Sequence, residues 1–157
     1  MTEVGARDVS AQPAEVLSLA MARLVVERAL VYAREHSYPP MTVAVLDAGG
    51  HLVSFAREDH SSLLREKIAR GKAKSALNMG VGTRALVTRA EQHPHFINAV
   101  TALADGELIP VPGGVLVRGS GGDVLGAVGV SGHRPDEDEA CAVAGIAATG
   151  LVSDPGA

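Results

Sequence analysis

The side chains of this 157-residue chain with most scope for chemistry are six histidines, one cysteine, a lysine on an apolar helix face and a run of four acidic residues. His51 follows a tight Ala48-Gly49-Gly50 turn, and His133 stands just past a glycine-rich stretch. His93 and His95 flank Pro94; they could address one metal only from an extended segment, and neither an H-E-x-x-H pattern nor a cysteine cluster accompanies them. No metal site is expected. Cys141 lies between alanines and reads as a small buried hydrophobe rather than a nucleophile. Asp136, Glu137, Asp138 and Glu139 suit the first turn of a helix, where the dipole favours anions. Asp138 or Glu139 could instead turn inward as a proton carrier, as could His51. Lys72 falls on the apolar side of a helix, one turn after Ile68, either to snorkel along the sheet edge or to act in a pocket; snorkelling is the favoured reading.

Glycine marks two further places. In Pro112-Gly113-Gly114 the chain can turn sharply and present amide N–H groups to a carboxylate, although a plain strand-linking turn explains the same residues. Gly126-Ala127-Val128-Gly129-Val130-Ser131-Gly132 puts three glycines in a strand, which implies close approach by another group. That group is either a packed helix or subunit, or a ligand in contact with Ser131 and Gly132. The spacing is neither a dinucleotide fingerprint nor a P-loop.

The elements that must position these residues follow from periodicity. A helix is predicted from Pro13 to Glu35, with Leu17, Ala20, Met21, Leu24, Arg28 and Val31 on one face and Pro39-Pro40 ending it. Met41–Asp47 and His51–Arg57 form a hairpin. A second helix runs from Ser61 to Met79 and is stopped by Gly80 and Gly82. Shorter helices over Thr83–Glu91 and from Pro94 to Leu103 follow, and Asp105-Gly106 turns the chain. Strands are predicted over Glu107–Val111, Val115–Arg118 and Val124–Val130, and a last helix over Asp136–Leu151. The pattern is that of an α+β fold, an antiparallel sheet with helices packed on it. Residues 1–12 read as a flexible leader, 13–152 as a single domain and 153–157 as a tail.

Composition limits the function classes. Hydrophobic residues make up 46% and charged residues 20%, while aromatics are only 3%, so the core must be aliphatic. A net charge of -4 gives no electrostatic footprint for nucleic acid. No apolar run is long enough to cross a bilayer, and the amino terminus has no secretory pattern. With a lone cysteine, these features point to the cytoplasm.

Five motifs occur in order: Asp47-Ala48-Gly49-Gly50-His51-Leu52, Ala69-Arg70-Gly71-Lys72-Ala73-Lys74-Ser75-Ala76, Pro112-Gly113-Gly114-Val115, the Gly126–Gly132 strand and Asp138-Glu139-Ala140-Cys141-Ala142. The series resembles the GlcG/HbpS family, which includes the carboxyl-terminal domain of PduO-type proteins. The resemblance spans Pro13 to Leu151. It implies a profilin-like antiparallel sheet flanked by helices and a homo-oligomer, from a dimer up to an octamer. It also implies haem as a cofactor, since several relatives bind it; a threonine associated with iron in some of them corresponds in context to Thr83.

Haem requires an apolar slot, an iron ligand and cations for the propionates. The candidates are His51 or Thr83 for iron, and Arg57, Lys72 and Arg84 for the carboxylates. The leading expectation is a haem-binding or haem-handling protein with its pocket near a subunit interface. The rival is an isomerase, deaminase or lyase that holds a carboxylate-bearing substrate at Pro112, Gly113, Gly114, Ser131 and Gly132, with His51, Asp138 or Glu139 moving protons. A third reading is a structural oligomeric partner.

Overall fold

The computed structural model describes residues 15–156. Helix α1 (Leu19–Glu35) begins where Ser18 accepts the Met21 N–H at 3.1 Å, six residues after Pro13, which lies outside the described residues with the expected leader. A hydroxyl that caps the free amides fixes the start better than proline at a first turn. Strands β1 (Thr42–Asp47) and β2 (Leu52–Arg57) form the expected hairpin. Helices α2 (Arg65–Met79), α3 (Arg84–Gln92) and α4 (Pro94–Leu103) follow, then β3 (Gly114–Arg118), β4 (Val124–Ser131), α5 (Pro135–Ala147) and β5 (Val152–Asp154).

The five strands form one antiparallel sheet in the order β2-β1-β4-β3-β5. One face carries α1 and α5 over Val43, Val45, Val115, Val117, Val128 and Val130. The other carries α2, whose Ala73 and Ala76 pack on Leu46, Leu116 and Ala127. This is the α+β arrangement expected, with small side chains where helix meets sheet.

Three details differ from expectation. The Glu107–Val111 segment is not a strand: the Ile109 N–H donates to Ser75 Oγ on α2 at 2.8 Å, so a helix side chain takes up the backbone donor that a neighbouring strand would have used. The expected tail instead supplies the edge strand β5, paired with Leu116–Arg118 and held by an ion pair from Arg118 to Asp154 at 2.8 Å. Helix α1 is rotated relative to its apolar pattern. Ala22, Val25, Val26, Ala29 and Ala33 are buried, whereas Val31 is exposed, because the alanine stripe lets α1 sit directly on Gly145 of α5.

Of the glycines in and just after β4, Gly129 serves helix packing, whereas Gly126 and Gly132 lie against β1 and the segment before it. A methyl group on Gly129 would lie 1.8 Å from the Ala69 carbonyl oxygen of α2, and one on Gly132 would lie 2.4 Å from Met41 Sδ. The side-chain space over Gly129 is filled by α2.

Candidate functional site

The pairing register separates two ends of the sheet. Thr42 of β1 lies opposite Ser131, and Asp47 opposite Gly126, so the strand ends are about 17 Å apart at roughly 3.4 Å per residue. Most candidate residues gather at the Ser131 end, where α2, α5 and the 112–114 turn converge. His51 stands at the other end.

At the Ser131 end, Lys72 is buried to 2% exposure and does not snorkel. Its ammonium lies 2.9 Å from Asp138 Oδ2 and donates to the Val130 carbonyl at 3.0 Å. Asp138, 1% exposed, accepts the His133 N–H on its other oxygen at 2.8 Å. Burial pulls the Lys72 ammonium below its ordinary pKa and pushes the Asp138 carboxyl above its own, and the attraction between the two opposes both shifts. The glycines of the turn make room for the lysine. A methyl on Gly113, whose φ is +119°, would fall 2.7 Å from Lys72 Nζ, and one on Gly114 would fall 2.2 Å from the Lys72 carbonyl oxygen.

Thr83 is fully buried and both functions of its hydroxyl are used: it accepts the Gly114 N–H at 2.8 Å and donates to the Gly114 carbonyl at 3.2 Å. The Pro112-Gly113-Gly114 turn therefore has its Gly114 donor committed inside the protein. Arg84 is clamped between Glu139 at 3.0 Å and Asp136 at 2.6 Å. Arg57 donates to the Ser61 carbonyl, and Arg65 to Ser131 Oγ at 3.1 Å. Gly132 is buried against Met41. Nearby, burial pushes the Cys141 thiol up to about 12, in keeping with an inert buried thiol. Among the described residues, no cluster of three or more His, Cys, Asp or Glu could hold a metal ion.

The hairpin end is open. Asp47 Oδ1 accepts the backbone N–H groups of Gly49 and His51, both at 2.9 Å, and lies 3.2 Å from His51 Nδ1. These bonds, led by that from the His51 backbone, hold the Asp47 carboxyl below its ordinary range. The His51 side chain is 80% exposed. A carboxylate on Nδ1 fixes the ring and leaves Nε2 turned to other partners, an arrangement common to imidazoles that bind metals.

Residue reasoning missed a groove of about 520 Å³ between α2 and the 105–109 segment. Leu64, Ile68 and Ile109 give it apolar walls, Lys67 and Arg70 add cations, and Glu66, Asp105 and Glu107 add carboxylates, Glu66 being paired with Arg70 at 3.5 Å. Its signal in the sequence was weak. Leu64 and Ile68 match the period of a core-facing stripe, yet Leu64 is 60% exposed because α2 turns its alanines to the sheet instead.

The family model described as haem degrading protein HbpS-like matches residues 17–147. No curated protein matches the chain. Among solved structures, Klebsiella pneumoniae protein ORFY superposes with a TM-score of 0.81 at 22% identity, covering 94% of this chain and 99% of that one. The PduOC:heme complex gives 0.79 at 23%, covering 88% and 98%. A double mutant of Streptomyces reticuli HbpS gives 0.72 at 27%, covering 94% and 96%.

Proposed function

Because the chain belongs to the HbpS-like family of haem-degrading proteins, we propose that it binds haem, between copies of itself in a cytoplasmic homo-oligomer. The observation that carries this reading is the family match across most of the chain, and the residues present fit the group in two places. The groove beside α2 offers the macrocycle Leu64, Ile68 and Ile109, and one propionate Lys67, while Arg70 there is paired with Glu66 at 3.5 Å. His51, oriented by Asp47 and exposed, offers the iron an imidazole. The two lie on separate parts of one chain, so the reading joins the groove of one copy to the hairpin of another. Leu63 and Leu64, 90% and 60% exposed and adjoining at the groove, form an apolar patch that supports assembly there.

Other candidates suit haem less. The Thr83 hydroxyl is spent on Gly114, and Lys72 and Arg84 are spent on carboxylates. No helix among the described residues is long and apolar enough to cross a membrane. Bound haem supplies a redox-active iron; the protein's part is to orient it, shield its faces and neutralise its carboxylates. Titration of the purified protein with hemin, beside His51→Ala and Lys67→Ala variants, tests the reading. A changed spectrum in the first variant and weaker binding in the second are expected.

The rival enzyme reading placed a carboxylate at Pro112, Gly113, Gly114, Ser131 and Gly132; of these, Ser131 Oγ accepts from Arg65 and Gly132 packs on Met41. With the Gly114 N–H donated to Thr83, the 112–114 turn does not favour it.

A further inference from the structure

We propose that the entrance of α2, where it meets the ends of β1, β2 and β4, is a binding site for a small oxyanion, a carboxylate or a phosphate, independent of haem. Thr42 is paired across the sheet with both Arg57 and Ser131, so the three side chains share one face. It is the face that α2 covers, since Thr42 and Leu46 are an even number of residues apart and Leu46 packs on Ala73. The segment leading into α2 brings Ser61 beside Arg57, which donates to its carbonyl, and α2 itself brings Arg65 to Ser131 at 3.1 Å.

Two observations point to a ligand. Thr42 is fully buried and Ser61 is 6% exposed, yet neither Thr42 Oγ1 nor Ser61 Oγ has a hydrogen-bond partner among the described residues. Buried hydroxyls are seldom left unpaired, because the desolvation is then uncompensated. The second observation concerns charge. Neither Arg57 nor Arg65 forms an ion pair with a carboxylate among the described residues, a state they share with Arg23, Arg28, Arg89 and Arg134, but only these two stand beside buried unpartnered hydroxyls. The nearby acids are engaged elsewhere: Glu58 is held by Arg34 at 3.1 Å and by the Met41 N–H at 3.2 Å, and Asp138 by Lys72. Two guanidinium groups and two unpartnered hydroxyls form a donor set matched to an oxyanion.

The test is thermal unfolding of the haem-free protein in inorganic phosphate, in acetate and in chloride at matched ionic strength. A saturable rise in Tm with phosphate identifies a phosphoryl ligand, and one with acetate a carboxylate; either supports the site. Thr42→Val is nearly isosteric and removes only the unpartnered hydroxyl, so the variant folds, and it loses roughly tenfold or more in apparent affinity for the responding anion. Arg65→Gln does the same. No saturable rise above chloride, or an equal rise in the wild type and Thr42→Val, overturns the proposal: the hydroxyls then meet only water. Because haem takes no part, this outcome is separate from the fate of the haem reading.

Discussion

Lys72 on α2 and Asp138 on α5 meet through the sheet, 2.9 Å apart, both almost wholly excluded from water. Each belongs to a helix on a different side of β4, and the lysine also grips that strand at Val130. The pair thus ties together the three layers of the fold at the end where the 112–114 turn closes over it. Two of the three ammonium donors and both carboxylate oxygens are engaged within the protein, which favours a structural role for both residues.

Removing one partner strands a buried charge. Lys72→Met or Asp138→Asn should each destabilise the protein by about 3–5 kcal/mol in denaturant unfolding, while the apolar double replacement Lys72→Met/Asp138→Leu should recover much of that loss. Additive losses in the double variant would show that the two residues act separately.

Gly129 tests the packing account of the glycine strand. Gly129→Ala places a methyl 1.8 Å from the Ala69 carbonyl oxygen, a clash with backbone that cannot rotate away, and should cost about 3 kcal/mol or more. Gly121→Ala, with nothing within 4 Å of the new methyl, should stay within about 0.5 kcal/mol of the wild type. Equal effects would deny that α2 rests on β4 at this point.

The hairpin carries a pH dependence of defined sign. The Asp47 carboxyl is held below its ordinary value of 3.8 by the His51 and Gly49 N–H groups, so its contribution is present above that value and is lost as the pH falls through the lower folded one. Amide resonances of Gly49 and His51 should therefore titrate with a midpoint below 3.8. A midpoint at or above it would mean that these bonds do not favour the ionised form.

Much of this arrangement was legible in the residues, for reasons that differ by place. The hairpin could be read because Ala48-Gly49-Gly50 separates a β-branched apolar run from an alternating one, and the Gly80 stop because it takes up φ +67° at the end of α2. Asp138 could be suspected of turning inward, but its partner could not be identified: Lys72 lies 66 positions away, and a lysine on an apolar stripe looks the same whether it snorkels or is paired. The 107–111 segment misled because Leu108, Ile109 and Val111 make a short apolar run like a buried strand, while its hydrogen bonds go to Ser75. Thr42 and Ser61 carried no signal, since only the strand register and the fold of the loop before α2 bring them beside two arginines.

The central claim, haem bound through residues of this chain, is tested most directly by titrating the purified protein with hemin at low micromolar concentration and following the Soret band. A sharp, saturable shift at fixed stoichiometry, altered in position by His51→Ala, is the predicted result. Broad absorbance that rises without saturating, the same in the variant as in the wild type, would contradict it.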